Sequence, residues 1–271
     1  AGDRVVPIRG IRKAMFAQMS AATAVPHFAY KDELVMDELM AVRQQLKPMA
    51  AAAGLDKFTL MPLIVKATSL ALAQHPDLNA SISADHTELI VKGSHNIGVA
   101  MDTPNGLLVP NVKNVGALTL LEVAAELARL QADAAAGRLG MADLKDGTFT
   151  LSNIGNVGGT YVGPVINLPE VAIAGLGKIR PTPRYDADGQ LVKASVMQAR
   201  AAGASRAHPG RVPGAPPRTH RLPTWHRAHP VHAAQVSWSA DHRVVDGAQM
   251  AHFSNTWIGF LEKPATMLLR M

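Results

Sequence analysis

The chain contains no cysteine. It therefore has no disulfide framework, no thiolate nucleophile and no thiolate metal ligand, and any thiol chemistry must come from its substrates. It also lacks the roughly 18 to 20 uninterrupted apolar residues that a membrane span requires, and its N-terminus lacks the apolar stretch of a secretory signal. These absences lead us to expect a cytoplasmic or matrix-like compartment and no membrane partner. Aromatic residues are scarce, at 4%, and none alternates with basic residues as a base-stacking surface needs. No G-x-S-x-G elbow, H-E-x-x-H helix or P-loop is found, which removes several common catalytic patterns.

What is there is ample apolar material: 48% of 271 residues, enough for the core of one large or two ordinary domains. The net charge of +6 invites a nucleic-acid reading until the charge is located. Residues 199–235 hold six arginines and no lysine, aspartate or glutamate, so the rest of the chain is neutral and no nucleic-acid partner is expected. The same stretch has six prolines, five histidines and little apolar periodicity, and reads as an Arg/Pro/His-rich insert. His226, His229 and His232 could in principle bind a metal, but Pro230 opposes a regular helix there; we expect no metal site. The abrupt opening at Ala1, with Arg4-Val5-Val6-Pro7-Ile8 close behind, reads as a fragment of a longer chain.

Met36, Leu39, Val42, Leu46 and Met49 recur at three- and four-residue steps, predicting an amphipathic helix stopped near Gly54. Further helices are predicted over Met61–Gln74, before His75-Pro76, and over Leu118–Ala136, before Gly137. Strand-like runs cover His27–Leu34, Asn79–Ser83, Glu88–Val91, Asn96–Met101, Thr148–Ser152, Val171–Leu176, Gln190–Gln198 and Val236–Ala240. Helices and strands mix without strict alternation, which predicts an α/β sandwich with a mixed sheet rather than a doubly wound parallel one. Gly155, Gly158 and Gly159 match a phosphate-cradling loop weakly, and a turn needing positive φ is the simpler reading.

The most informative stretch is VSWSADHRVVDGAQMAHF, residues 236–253. A strand is followed, after Asp246-Gly247, by a helix carrying Met250, Phe253, Trp257 and Phe260 on one face, so His242 falls in the turn between them. An imidazole there can project into a cleft and remove a proton from a thiol at neutral pH, with Asp246 steadying the segment. Spacing alone leaves a purely structural role open for both.

DHRVVDG resembles the active-site signature of the dihydrolipoamide acyltransferases of 2-oxo acid dehydrogenase complexes. VPIRGIRKAM, PHFAY, SHNIGVAMDT, GLLVPNVKN, GTFTLSNIG and LPEVAIAGLGKI are similar to family segments in the family's order, across nearly all the chain except residues 199–235. SNIGNVGGTYVGPVINLPEVAI and VSWSADHR look most like the branched-chain member. The resemblance implies a chloramphenicol acetyltransferase-like two-layer sandwich with a mixed β-sheet, residues 1–271 forming one catalytic domain interrupted by the insert. It implies acyl transfer, of isobutyryl, isovaleryl or 2-methylbutyryl groups, between dihydrolipoamide and coenzyme A. His242 would be the general base, Ser152 the donor to the tetrahedral oxyanion, and Asp246 the partner of Arg12 in holding the catalytic turn. Coenzyme A would meet Arg43, Thr59, Asp102, Gln131, Ser152, Asn153, Gly177 and Ile179; read from their neighbours alone, Arg43 and Gln131 could be solvated helix positions and Gly177 only a turn. The lipoyl group, the subunit-binding domain, and the links to the 2-oxo acid dehydrogenase and dihydrolipoamide dehydrogenase components would lie upstream of this fragment. The resemblance further implies trimers, with the histidine and serine from adjacent subunits, and a core of 24 subunits. Residues 199–235 depart from the family pattern, either as a tolerated surface excursion or as an artefact of the gene model. An acetyl- or succinyl-specific sister enzyme and a non-catalytic scaffold are the competing readings.

Overall fold

The computed structural model describes residues 2–103, 106–183 and 231–270. The predicted strand Gln190–Gln198, His226, His229 and most of the 199–235 segment lie outside the described residues. The chain divides into a larger unit, Ala1–Arg180 with His232–Met271, and a smaller one, Pro181–Val231. The larger unit holds the helices and the main sheet.

The elements in chain order are α1 (Gly10–Ala22), β1 (His27–Val35), α2 (Asp37–Ala52), α3 (Met61–Gln74), β2 (Ala80–Ile82), β3 (Leu89–Val91), β4 (Ile97–Val99), β5 (Met101–Thr103), β6 (Gly106–Leu108) and β7 (Asn111–Val112). There follow α4 (Leu120–Ala135), α5 (Met141–Leu144), β8 (Phe149–Asn153), β9 (Ala172–Leu176), β10 (Arg180–Thr182), β11 (Val231–Asp241) and α6 (Gly247–Glu262). The main sheet runs in the order β1-β11-β9-β8-β4-β7. Its middle pairs, β9 with β8 and β8 with β4, are parallel, while β1, β11 and β7 pair antiparallel. The sheet is mixed, as expected.

One face of the sheet packs on the core that it shares with α2, α3, α4 and α6. Trp238 of β11 is fully buried, packs edge-on against Phe253 and Trp257 of α6, and donates its indole N–H to Ser254 Oγ at 3.0 Å. An indole can be buried without penalty only when its N–H finds such an acceptor. Helix α3 is enclosed almost all round; its Lys66 is buried and donates to the carbonyls of Val115, Gly116 and Leu118, and its Thr68 accepts the Trp257 indole N–H at 2.9 Å. The opposite face of β9 and β11 is covered by residues 154–171, where Val162 N–H reaches Ser237 Oγ and Ile166 packs on Val25 and Ile173.

Local chemistry sets the helix ends. Thr119 and Glu122 form a capping box on α4, Asp246 and Gln249 another on α6, each satisfying otherwise unpaired N-terminal N–H groups. Gly54, just past α2, sits at φ +84, the conformation a glycine stop requires. Of the three glycines in NIGNVGG only Gly159 has positive φ, at +84; Gly155 is there for space, since a Cβ on it would lie 2.6 Å from Gly177 O. The predicted strand Asn96–Met101 is two strands, because the chain leaves the main sheet after Val99 to form the β5–β6 hairpin. Helix α1 is not among the predicted helices, although Ile11, Met15, Met19 and Ala22 recur at three- and four-residue steps; of the helix only Ala22 is buried. β11 begins at Val231, not Val236: residues 231–235 are strand, pairing with β1 through Val35↔Ala233, Leu34↔Ala234 and Glu33↔Gln235.

Candidate active site

Two places matter, and the register separates them. His242 follows β11 directly, in the turn before α6, and its backbone N–H is held by Pro26 O at 2.9 Å. Its ring lies 4.8 Å from that of Phe28, and Nδ1 is 3.1 Å from Val245 O. A carbonyl can only accept, so this bond requires the proton on Nδ1 and leaves the Nε2 lone pair free. The side chain is exposed. The imidazole is thus fixed in orientation and faces outward from its own chain.

The flanking residues pin the turn. Asp241 is almost fully buried and its backbone N–H donates to Val171 O at 2.8 Å, while its carboxylate forms a forked pair with Arg243, with contacts of 2.6 to 3.2 Å. Burial pushes this carboxyl up, but the Arg243 hydrogen bonds and charge outweigh it and hold Asp241 below the usual range. Asp246 caps α6 by accepting the Gln249 N–H at 2.8 Å. It forms no ion pair with Arg12 within the described residues; Arg12 is exposed on α1. The expected Arg12–Asp246 link is thus not made inside one chain; the helix cap uses only Oδ1 of Asp246.

The second place is a cavity of about 430 Å³. It opens where the parallel strands β8 and β9 end, the position at which α/β sheets expose unpaired backbone groups. Six of the expected coenzyme A positions line it: Arg43, Thr59, Gln131, Asn153, Gly177 and Ile179. Arg43 on α2 is anchored by Nε donating to Phe58 O at 2.9 Å, which leaves its terminal nitrogens uncommitted by that bond. Asn153 Oδ1 accepts the Gly155 N–H at 2.9 Å, fixing the strand end. Gly177 is needed for close approach, since a Cβ would lie 2.4 Å from Thr160 O. Lys178 and Asn156 also line the cavity and escape a reading of the sequence, although Lys178 stands between two predicted positions. None of its described lining residues is acidic, so Arg43 and Lys178 give it a net positive wall suited to a phosphorylated ligand.

Ser152, half-buried on β8, immediately precedes Asn153 but does not itself line the cavity, and Asp102 lies exposed on the β5–β6 hairpin, also outside it. Ser152 pairs with Gly175 of β9, and Gly175 with Ser237 of β11. His242 lies five residues beyond Ser237. At about 3.3 Å per residue and about 4.8 Å per strand, Ser152 and His242 are ~19 Å apart in one chain. No proton can pass directly between them at that separation.

Residues 1–211 and 220–269 match the model of the 2-oxoacid dehydrogenases acyltransferase catalytic domain. The mouse lipoamide acyltransferase component of the branched-chain alpha-keto acid dehydrogenase complex, mitochondrial, is 47% identical over 267 residues, covering 98% of this chain and 48% of that one. The chain thus spans about half the length of the curated relatives it matches. Two solved structures, each 30% identical, superpose with a TM-score of 0.81 over 98% of this chain and 94% of theirs. One is the dihydrolipoamide acetyltransferase of Azotobacter vinelandii, studied for the roles of a serine, a histidine and an asparagine in its catalytic mechanism; the other is the cubic core of the pyruvate dehydrogenase multienzyme complex. Chloramphenicol acetyltransferase, 14% identical, covers 95% of this chain with a TM-score of 0.50 and so shares the fold. This chain belongs to the acyltransferase family of the 2-oxoacid dehydrogenases, as its catalytic domain.

Proposed function

We propose that this chain transfers a branched acyl group between dihydrolipoamide and coenzyme A, in a site completed only when two copies meet. The observation that carries the reading is convergence: six positions scattered from Arg43 to Ile179 in sequence line one positively walled cavity at the strand ends. Coenzyme A occupies that cavity, its phosphates toward Arg43 and Lys178. The acyl-bearing lipoyl group arrives on an upstream domain. In the transfer, Nε2 of His242 removes the proton from the attacking thiol, whose sulfur adds to the thioester carbonyl. The resulting oxyanion takes a hydrogen bond from Ser152 Oγ–H of the adjacent subunit. Collapse expels the other sulfur, which takes the proton back from His242, so the base is regenerated and the proton count balances. Asp246 stabilises the turn by capping α6 through Oδ1. Trimers supply the adjacent subunit, and their assembly into a 24-subunit cubic core fits the solved core that this chain resembles. The 2-oxo acid dehydrogenase and dihydrolipoamide dehydrogenase components bind through upstream domains.

A donor series tests this. Isobutyryl- and isovaleryl-dihydrolipoamide should be used with higher kcat/KM than acetyl or succinyl donors, since a pocket discriminates chain size by about 10- to 200-fold per methylene. Preference for acetyl or succinyl would reject the branched-chain assignment in favour of a sister enzyme. Absence of transfer with every donor would favour a scaffold.

A further inference from the structure

The stretch Ile166–Val171 carries, one residue before its end, a glutamate that acyl transfer does not use. Glu170 is 3% exposed, and its Oε2 has no hydrogen-bond partner. Asn167 donates through Nδ2 to the other oxygen at 3.1 Å, and the Glu170 N–H returns to Asn167 O at 3.1 Å. Thr150 Oγ1, two residues before Ser152 and on the same face of β8, lies beside the carboxyl but outside hydrogen-bond geometry and is itself unpaired. A buried carboxyl so placed is far cheaper as the neutral acid than as the anion. Burial accordingly pushes its pKa up to about 8, against a smaller opposing pull from Thr150 and Asn167.

The segment that Glu170 anchors meets the base of the catalytic turn at two points and is itself held by α1. Val171 O accepts the Asp241 N–H at 2.8 Å, one residue before His242. Ile166 N–H donates to His27 Nε2 at 3.1 Å, and His27 pairs with Asp241 across β1 and β11. Gln18 of α1 donates to both Asn167 Oδ1 and Leu168 O, at 3.3 and 2.6 Å. The other titratable groups lining the adjoining cavity of about 220 Å³ are His86 and the Asp241–Arg243 pair. None of residues 166–171 lines the coenzyme A cavity.

We propose that Glu170 is a positioning residue for His242: its buried carboxyl locks the 166–171 segment, and through Val171 O and Asp241 N–H that segment sets where the imidazole projects. The proposal rests on His242 being the base. Below about pH 8 the acid is neutral and the segment is locked; above it a buried, unpaired anion forms and the lock loosens. The same raised pKa makes the fold itself lose stability as pH climbs from the ordinary carboxylate range through about 8.

The test uses the assembled chain and its Glu170→Gln and Glu170→Ala forms. Gln keeps the shape and neutrality of the acid, so E170Q should retain kcat within about twofold at pH 7, keep its activity near pH 8 where the unaltered chain loses it, and lack the decline in melting temperature that the unaltered chain shows from the ordinary carboxylate range up to about pH 8. E170A should lower kcat by roughly 10- to 100-fold with KM for coenzyme A unchanged, as expected for a base displaced by about an ångström. In the unaltered chain, exchange of the Asp241 and His242 amide hydrogens, corrected for intrinsic pH dependence, should accelerate between about pH 7 and 9. That measurement serves even if a variant fails to fold. Superimposable pH profiles for E170Q and the unaltered chain, a rise in KM rather than a fall in kcat for E170A, or pH-independent protection at Asp241 and His242 would each overturn the proposal. If instead no form transferred acyl groups while exchange still responded to pH, the acyltransferase reading would fail and the coupling would stand.

Discussion

If His242 and Ser152 act across a subunit boundary, two separately inactive chains should repair one another. The perturbation is a pair of variants, His242→Ala and Ser152→Ala, purified alone and also co-assembled from an equal mixture. Within one chain the two side chains stand ~19 Å apart, by strand register and the usual strand spacings, so neither can complete a site with its own partner. Alone, H242A should lose about 100- to 10,000-fold in kcat for want of a base, and S152A roughly 100- to 1,000-fold for want of an oxyanion donor. In a cyclic trimer every interface takes its histidine from one chain and its serine from the next. Random mixing gives an intact pair at about one interface in four, so co-assembled trimers should recover roughly a quarter of full activity. The assay is transfer between isobutyryl-dihydrolipoamide and coenzyme A, read on trimers formed by co-expression and compared with pre-assembled homotrimers mixed at the same concentrations. The pre-assembled mixture should stay inactive unless subunits exchange. Activity of the co-assembled sample no greater than the mean of the two variants would refute the shared site. So would a variant that keeps near-normal turnover.

Gly177→Ala should raise KM for coenzyme A more than it lowers kcat, because the added Cβ would meet backbone oxygens of Thr160 at 2.4 Å and Gln235 at 3.3 Å, neither of which can rotate away. An unchanged KM by direct titration would show that this wall of the cavity does not touch the ligand. Trp238→Ala should destabilise the domain by about 3 to 5 kcal/mol, through the void left among Phe149, Phe253 and Trp257 and the lost bond to Ser254. A loss under about 1.5 kcal/mol in denaturant unfolding would mean that α6 collapses onto the sheet without it.

Much of the architecture can be read from periodicity, and the reasons are local. Helix α3 runs over Met61–Gln74 as predicted, since Pro76 and the residue before it stop any continuation. Thr119 and Glu122 cap α4, and the turn containing His242 is bounded by a strand buried along nearly its whole length and by a helix capped by Asp246. Helix α1 is not predicted although Ile11, Met15, Met19 and Ala22 keep a helical spacing, and the first five residues of β11 are hidden by the Arg/Pro/His-rich composition just upstream. The residue types of the site follow from the same sequence: an imidazole at a strand end, a hydroxyl at the end of β8, an arginine on α2.

Tertiary structure alone decided which of them meet. Sheet order is non-local, so nothing in a linear reading places β9 between β8 and β11, and only that order puts Ser152 and His242 far apart in one chain. It also brings Arg43, Gln131 and Lys178, from three different parts of the chain, onto one cavity. Glu170 shows the limit most sharply. A glutamate in a loop reads as solvated, and only the packing of residues 154–171 over the sheet removes its water, leaves one oxygen unpaired and places it next to Val171, which holds the turn containing His242. Side-chain identity and local spacing are properties of the chain; desolvation and distance arise when distant segments pack, and those two set the chemistry.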